Sequence, residues 1–239
     1  MASISERENR EIDGANASGD TPVVFIHGLW LLPSSWEAWA DFFKQAGYAP
    51  QTPDWPDDPQ TVEEARANPE VLAKKTLKQV ADHTTEIINA VDKKPVVMGH
   101  STGGLVAQML AGRGLSAATV AIDPGVFRGV LPLPASVLKG VGPLLVNPLT
   151  RGRAITLTFD QFKYGWANAL DENEAKELYD TFHVAGSGID RHRDRRESPA
   201  RKHLRQQAPG RVPHHRWFLV QGSDDLGGVT GDLLQGLSG

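Results

Sequence analysis

The fold of this chain is decided by one short stretch, Val96-Val97-Met98-Gly99-His100-Ser101-Thr102-Gly103-Gly104. Its apolar start, closed by a glycine, predicts a strand buried on both faces of a parallel sheet. Residues 99–103 match the pattern G-x-S-x-G, in which the chain turns sharply from a strand into a helix and exposes a serine. Ser101 would then lie at a helix N-terminus, where free amides and the helix dipole favour negative charge. The alternative interpretation is a tight strand–helix turn with a purely structural serine.

The segments around this stretch alternate between strand and helix. Short apolar runs predict strands at residues 22–26, 48–53, 95–99 and 118–123. The spacing of apolar side chains predicts a helix from Ser34 to Gly47, a long helix that begins at Asn68-Pro69 and runs to Val91, and another helix after Ser101. This alternation predicts an α/β fold with a mostly parallel sheet and helices on both faces.

A second candidate motif follows the first predicted strand, in Ile26-His27-Gly28-Leu29-Trp30. If Ser101 attacks an acyl group, the oxyanion that develops needs two preorganised backbone amides. Thr102, directly after the serine, would supply one of these amides. Leu29 is the better candidate for the other, and Trp30 is the second choice. His27 is expected to orient this loop rather than act as a base, and a simple His-Gly turn is the alternative.

The length, net charge and amino-acid composition of the chain exclude several classes of function. The chain has 239 residues, enough for one α/β domain with a full core, and a formal net charge of -4. That charge gives no electrostatic reason to expect nucleic acid or an anionic membrane as a partner. Cysteine is absent, which excludes disulfides and thiolate chemistry. Residues 1–20 lack the apolar core of a signal peptide and no apolar run is long enough to span a bilayer, so a cytoplasmic location is expected.

The two motifs, their order and the roughly seventy residues between them resemble bacterial enzymes of the α/β-hydrolase fold, in the non-haem haloperoxidase-like and esterase-like group. The helix start Ser34-Ser35-Trp36 and the loop Asp54-Trp55-Pro56 are also similar to that group. The resemblance covers residues 20 to about 188. It implies Ser-Asp-His hydrolysis of a small carboxylic ester or related acyl substrate through an acyl-enzyme, with no cofactor and no metal.

Changes in composition divide the chain into segments. Residues 1–20 form a polar N-terminal arm, residues 21–123 the hydrolase core, residues 124–186 a lid over the site, and residues 187–239 an aberrant tract in place of the rest of the core. For the proline-rich lid, an irregular stretch of core is the alternative. The apolar side chains of the lid predict an apolar pocket that would fit many esters: Phe127, Leu131, Leu133, Phe159 and Phe162.

The resemblance also implies an acid and a histidine base, in the chain order serine, acid, histidine. Asp225 is the candidate acid, because Gly222-Ser223-Asp224-Asp225 follows an apolar run at residues 217–220 in the way that the family's acid follows its strand. Asp123, at the end of the preceding predicted strand, is the alternative acid. A cap for a helix or for the lid is the other interpretation of Asp123.

The histidine base is not found in this sequence. The family's histidine normally lies near the C-terminus after a final strand, and no histidine follows His215. His100 is expected to pack away from the oxyanion side. The remaining candidates all precede Asp225 in the chain, and none is assigned as a substitute base: His183, His192, His203, His214 and His215.

The tract between Asp190 and Arg216 holds eight arginines and four histidines, with no helical or alternating apolar period. An out-of-frame reading of GC-rich DNA would produce this enrichment, so our hypothesis is that the reading frame departs from the family's near residue 189. A natural truncation and a fused tail are the alternatives. A Gly-His followed by a terminal helix in another frame of the gene would support the hypothesis, whereas stop codons alone would remove it. Loss of the last strand and helix would uncover a sheet edge and an apolar face, which predicts poor solubility.

Two functions therefore compete at this point. The first is a serine hydrolase, with the activity of this chain in doubt because the histidine is missing. The second is a catalytically inactive α/β-hydrolase-like protein that binds a ligand or a partner under its lid. A nucleic-acid binder that uses the arginine-rich tract is disfavoured, because no aromatic platform interleaves the basic residues. The oligomeric state is left open.

Overall fold

The structure, a computed structural model, describes residues 3–125 and 152–187 and the backbone of residues 216–220. The candidate acid Asp225 lies outside the described residues. So does the part of the expected lid that contains Phe127, Leu131 and Leu133. The same holds for the candidate bases of the arginine-rich tract: His192, His203, His214 and His215.

The strands of the described residues form a parallel sheet and a short antiparallel pair. In chain order they are β1 (Thr21–Ile26), β2 (Tyr48–Gln51), β3 (Val96–His100), β4 (Ala118–Ile122), β5 (Ala154–Ile155), β6 (Gly186–Ser187) and β7 (Arg216–Val220). The large sheet has the order β2-β1-β3-β4-β7, and every neighbouring pair in it is parallel. β5 and β6 pair with each other in antiparallel orientation. The predicted α/β architecture is confirmed.

Helices connect the parallel strands from β1 to β4. In chain order they are α1 (Glu6–Ser18), α2 (Glu37–Gln45), α3 (Val62–Ala67), α4 (Leu77–Ala90), α5 (Thr102–Gly112), α6 (Phe159–Trp166) and α7 (Glu172–Phe182). Short 3₁₀ turns lie at Pro33–Trp36 and Pro69–Leu72.

The strands bury side chains on both faces of the sheet, because helices cover each face. On one face Phe25 of β1 contacts the rings of Trp36 and Phe43, with centroids 5.2 and 5.4 Å apart. On the other face Val24 and Ile26 pack with residues of α4 and α5, including Val80, Ala81, Val106 and Leu110. Each large apolar side chain buried in this way stabilises the fold by about 1.5–3 kcal/mol.

The strand β7 lies inside the tract that the sequence analysis assigned to residues 187–239. Its backbone pairs with β4 in a register that runs from Ala118↔Arg216 to Ile122↔Val220. The apolar run at residues 217–220 is therefore a strand of the sheet, as expected. β7 thus forms the fifth strand of the large sheet.

The polar arm expected at residues 1–20 folds as the helix α1 and packs on the core. The Ser5 side chain accepts a hydrogen bond from the Glu8 amide, and the Glu8 carboxylate accepts one from the Ser5 amide, at 2.7 Å. This reciprocal capping satisfies free donors at the helix start. The apolar side of the helix is narrow and consists mainly of Ile12 and Ala15. These two side chains are buried in a cluster with residues of β2 and of the end of α4: Ala49, Ile87 and Val91.

Glu8 connects α1 to two other parts of the fold. Its side chain is buried, and it accepts hydrogen bonds from the Asp54 amide at 3.0 Å and from His83 Nε2 at 2.8 Å. Arg7 lies beside it and forms an ion pair with Asp54 at 2.8 Å. The N-terminal helix is thus fixed to the loop after β2 and to α4 by charged groups as well as by apolar contact.

The long helix expected from Asn68 begins later than the sequence suggested. Pro69 starts only a 3₁₀ turn, which ends at Leu72. The helix α4 begins at Leu77, because Thr76 and Gln79 form a second reciprocal cap. The expected start was wrong because an N-cap followed by proline favours a helical turn of either kind, and the stronger cap lies eight residues further along.

Residues 152–187 of the expected lid contain the β5–β6 pair and the helices α6 and α7. Phe159 and Phe162 of α6 pack edge-on against Tyr179 of α7, with ring centroids 5.7 and 5.4 Å apart. The Tyr179 hydroxyl donates to the Leu157 carbonyl at 2.7 Å. These two phenylalanines, expected to line an apolar pocket, pack against the neighbouring helix.

Candidate active site

Ser101 lies at the turn between β3 and α5, and its backbone is strained. Its φ is 52° and its ψ is -117°, a region that costs a residue with a side chain about 1–3 kcal/mol. Two backbone hydrogen bonds fix the turn. The Ser101 amide donates to the Ile122 carbonyl at 3.0 Å, and the Gly125 amide donates to the Ser101 carbonyl at 2.9 Å. This is the geometry that the G-x-S-x-G pattern predicts.

The two glycines of the pattern are required by close backbone contacts. A Cβ atom on Gly99 would lie 2.2 Å from the carbonyl oxygen of Gly103. A Cβ atom on Gly103 would lie 2.1 Å from the carbonyl oxygen of Ile26. Both distances are far below van der Waals contact, so only glycine lets α5 pass this close to β3 and β1. The sharp turn and its serine depend on that approach.

The loop after β1 lies directly against the serine. A Cβ atom on Gly28 would lie 3.2 Å from the Cβ atom of Ser101. Thr102 is the first residue of α5, so its amide has no acceptor inside the helix. Leu29 follows Gly28, and Trp30 adopts a positive φ of 68° with its carbonyl bonded to the Val184 amide at 3.0 Å. The structure thus brings together the two segments expected to supply oxyanion donors.

His27 uses its ring to orient this loop. Nδ1 donates to the Gly28 carbonyl at 3.0 Å, and Nε2 lies 3.2 Å from Asp58 Oδ2. Nε2 packs beside this carboxylate but has no hydrogen-bond partner of proper geometry in the described part of the chain. The imidazole also stacks on Trp55, with centroids 5.0 Å apart. Neither ring nitrogen faces Ser101, which agrees with the structural role expected for His27.

His100 does not pack as expected. Its Nδ1 lies 3.3 Å from the position of a Cβ atom on Gly28, so the ring faces the loop after β1 rather than turning away from it. Burial lowers the pKa of His100, while the nearby Asp123 carboxylate partly opposes that shift. Burial thus favours the neutral form of this imidazole. The side chain faces the loop because β1 pairs with β3, and this pairing leaves the end of β3 beside the loop after β1.

Asp123 directly follows β4, at the same carboxyl end of the sheet as Ser101. It is exposed and adopts a positive φ of 39°. Its negative charge raises the pKa of His100, against the effect of burial. The turn that it begins packs on the elbow, since a Cβ atom on Gly104 would lie 3.1 Å from Pro124. Asp123 is thus close to the elbow, and its role as the alternative acid stays a prediction.

His183 is engaged at the end of α7 and is not placed as a base. Its Nε2 accepts from the Leu157 amide at 3.4 Å, and its ring stacks on Tyr179 with centroids 4.5 Å apart. Burial and, to a smaller extent, the Arg66 guanidinium together lower the pKa of His183 to about 4. The fourth histidine of the described residues, His83, is bonded to Glu8. No histidine within the described ranges is therefore positioned to activate Ser101.

The segment expected to be a lid contacts the loop that carries Leu29 and Trp30. The Trp30 indole donates to the Ile155 carbonyl at 2.9 Å and meets Trp166 edge-on, with centroids 5.3 Å apart. A Cβ atom on Gly186 would lie 2.8 Å from Leu29 Cγ and 2.9 Å from the Trp30 ring. The β5–β6 pair thus fixes the outer side of this loop.

Sequence reasoning missed a buried charged pair beside the same loop. Lys75 forms an ion pair with Asp58, and the two side chains are only 6% and 1% exposed. They line a cavity behind residues 27–31 that has room for about one water molecule. No local pattern marks this pair, because the partners lie 17 residues apart on two loops.

Within the described residues, two further kinds of feature are absent: a cluster of side chains that could hold a metal ion and a helix that could span a membrane. Within residues 3–125 and 152–187, no group of three or more histidine, aspartate or glutamate side chains is placed to hold a metal ion. None of the helices that the structure describes is both long and apolar enough to cross a bilayer.

A sequence model described as "Alpha/beta hydrolase family" matches residues 23–235 of the chain. The match runs past residue 188, where the sequence analysis placed the end of the resemblance, and it includes β7. No curated protein sequence matches the chain.

Solved structures with the same fold include several hydrolases. An extracellular alpha/beta-hydrolase from a Paenibacillus species, described as sharing homology with tobacco salicylic acid binding protein 2, is 18% identical, with a TM-score of 0.58. That comparison covers 92% of this chain and 99% of the other. A monoacylglycerol lipase from Paleococcus ferrophilus is 16% identical, with a TM-score of 0.53 over 90% of this chain and 93% of its own. Polyneuridine aldehyde esterase is 12% identical, with a TM-score of 0.57 over 92% of this chain and 100% of its own. At these identities the likeness shows the fold.

Proposed function

The chain belongs to the alpha/beta hydrolase family, and from this premise we propose that it is a serine hydrolase of small carboxylic esters with Ser101 as the nucleophile. The observation that carries the proposal is the strained backbone of Ser101 at the start of α5, with Gly28 in contact. Such a turn raises the serine side chain out of the sheet toward a helix N-terminus, where negative charge is stabilised.

The proposed reaction proceeds through an acyl-enzyme. Ser101 Oγ attacks the ester carbonyl, and the oxyanion that forms accepts hydrogen bonds from the amides of Thr102 and Leu29, with Trp30 as the alternative to Leu29. Collapse of this intermediate expels the alcohol and leaves the acyl group on Ser101, and water then releases the acid. Loss of one oxyanion donor typically costs a factor of about 10²–10³ in rate. A general base takes the Ser101 hydroxyl proton and returns it to the leaving alcohol. Asp225, or alternatively Asp123, is proposed as the acid that would orient this base, and no histidine of the sequence is assigned to the base's role.

A fluorophosphonate probe tests this proposal directly, because it reacts only with an activated serine. We expect stoichiometric labelling of the native chain at Ser101, located by peptide mass spectrometry, and none in Ser101→Ala. The matched control is Ser35→Ala, which removes a serine that donates to the Leu32 carbonyl at 2.8 Å in the 3₁₀ turn. Absence of labelling in a folded native chain would contradict the proposal.

A second candidate function is binding without catalysis, under the segment that covers the loop after β1. The observation in its favour is that His27, His83 and His183 contact other groups and that the His100 ring faces the loop after β1. Without a base, a serine hydroxyl is a weak nucleophile. If Ser101 is not labelled but a small ester still perturbs the spectrum of the protein in a titration, this second function is favoured.

A further inference from the structure

A buried ion pair lies behind the loop that is proposed to stabilise the oxyanion. The Lys75 ammonium donates to Asp58 Oδ1, and Asp58 Oδ2 accepts from the Trp55 amide at 3.1 Å. The same Oδ2 atom lies 3.2 Å from His27 Nε2. All three side chains are shielded from solvent, at 6%, 1% and 2% exposure for Lys75, Asp58 and His27. Removal of either Lys75 or Asp58 would leave the other as an uncompensated buried charge, which destabilises the fold.

The carboxylate of Asp58 packs against the Nε2 side of the His27 ring. Trp55 stacks on the face of that ring, so its plane is restrained as well. With Nε2 packed 3.2 Å from Asp58 Oδ2, Nδ1 points at the Gly28 carbonyl and donates to it at 3.0 Å. The ring therefore transmits the position of Asp58 to one backbone oxygen in the loop after β1.

That oxygen belongs to the same peptide group as the Leu29 amide. A trans peptide is planar, and its C=O and N–H point in opposite directions. Fixing the Gly28 carbonyl on the His27 side therefore directs the Leu29 N–H away from His27. The Gly28 backbone lies against Ser101, so the direction of this N–H determines whether it can meet an oxyanion formed there.

We propose that Lys75 and Asp58 are positioning residues that act through His27 on the Gly28–Leu29 peptide group. The inference rests on the proposed hydrolase function for its catalytic consequence. Lys75 precedes α4 and Asp58 lies in the loop after β2, so two separate segments of the chain together set the orientation of one donor. Neither residue touches the substrate in this role.

The test uses the full-length protein and the variant Lys75→Met, which removes the ammonium but keeps the length of the side chain. The matched control is Lys78→Met, because Lys78 pairs with Asp82 on the exposed side of α4. Two readouts are measured. One is the ¹⁵N–¹H signal of the Leu29 amide together with the ring nitrogens of His27. The other is the rate of Ser101 labelling by the fluorophosphonate probe.

We expect Lys75→Met to shift the Leu29 and His27 signals and to slow labelling by about 10- to 100-fold, the loss typical of a misplaced catalytic group. Lys78→Met should change neither readout. A native chain that is not labelled at all would reject the hydrolase function, while the Leu29 signal would still decide the positioning role. Equal shifts in Lys75→Met and Lys78→Met would overturn the inference.

A second variant covers the case in which Lys75→Met fails to fold because Asp58 is left unpaired. The double variant Asp58→Asn/Lys75→Met removes both charges, and buried pairs replaced by neutral groups are often tolerated. We expect it to recover the melting temperature but to keep the Leu29 and His27 signals displaced, because the carboxylate beside Nε2 is gone. Native signals for both groups in this double variant would overturn the inference.

Discussion

At the scale of single residues, Gly103 has no room for a side chain even though it lies within a helix. An added Cβ atom would approach the carbonyl oxygens of Ile26 and His27 to 2.1 and 2.5 Å. Gly103→Ala is therefore expected to lower the free energy of unfolding by about 1–3 kcal/mol, through overpacking against rigid backbone. Urea denaturation followed by circular dichroism measures this change.

Gly112 provides the matched control for that prediction. It lies at the end of the same helix, and a Cβ atom there meets nothing within 4 Å. Gly112→Ala should raise the free energy of unfolding by up to about 1 kcal/mol, because alanine loses less conformational entropy in a helix. Equal effects at both positions would show that the close approach of α5 to β1 does not constrain the sequence.

The ion pair between Glu8 and His83 makes stability depend on pH. Burial alone would raise the pKa of Glu8, but hydrogen bonds from His83 and from backbone amides outweigh it and bring the pKa to about 2, below the ordinary 4.5. Burial alone would lower the pKa of His83, but the Glu8 carboxylate raises it above 6.5. Stability from Glu8 is thus complete above pH 4.5 and lost as the pH falls toward 2. Stability from His83 is complete below pH 6.5 and lost as the pH rises through its raised pKa.

The pair therefore contributes fully between about pH 4.5 and 6.5, and we expect the melting temperature to decrease on the alkaline side of that window. His83→Gln should remove the alkaline decrease in a series of melting curves, since glutamine does not titrate. Glu8→Gln should remove it as well, because the shift of His83 depends on Glu8. A native decrease that survives in both variants would mean that another group causes it.

At the scale of elements, the β5–β6 pair and the loop after β1 depend on a glycine at residue 186. Gly186→Val is expected to displace the Leu29 and Trp30 side chains and to break the hydrogen bond from the Trp30 indole to the Ile155 carbonyl. We expect a loss of about 1–3 kcal/mol in unfolding free energy and a shift of the tryptophan emission. Gly165→Ala is the control, because a Cβ atom at that position of α6 meets nothing within 4 Å. Unchanged tryptophan emission in Gly186→Val would contradict this account.

The sequence predicted elements well where one local pattern determined them. The strand–glycine–serine–helix pattern led to the elbow at Ser101, and the apolar run at residues 217–220 led to the strand β7. The helix α1 was missed because its apolar side consists of little more than Ile12 and Ala15. The signal that would have revealed it is its cap, since Ser5 and Glu8 stand at the spacing S-x-x-E.

Contacts between residues that are far apart in the sequence could not be predicted from local patterns. Nothing near Lys75 in the sequence points to Asp58, and nothing near Glu8 points to His83. Only the packing of the sheet and its helices brings these charges together. Because they are buried, each charge needs its partner to avoid a large loss of stability. The role of His27 could be predicted from its place after β1, but the groups that orient its ring could not.

At the scale of the whole molecule, α1 is expected to be part of the cooperative unit. Deletion of residues 1–19 would expose the apolar cluster around Ala49, Ile87 and Val91 and leave His83 without its carboxylate. We predict a loss of at least about 2 kcal/mol in unfolding free energy, from lost burial alone. Removal of only Ala2 and Ser3 is the control, because the cap at Ser5 stays intact. Identical urea midpoints for the two shortened chains would show that α1 is not coupled to the core.

The contact between Glu8 and His83 also spans 75 residues of chain, with consequences for the order in which the protein is made. A ribosome that adds about 5–20 residues per second exposes Glu8 roughly 4–15 s before His83. A helix of 13 residues has little stability alone in water, so α1 must form and dissolve repeatedly during that interval. The first helix to be synthesised thus becomes permanent only late, and its docking marks the moment when the nascent chain has completed its first two strands and α4.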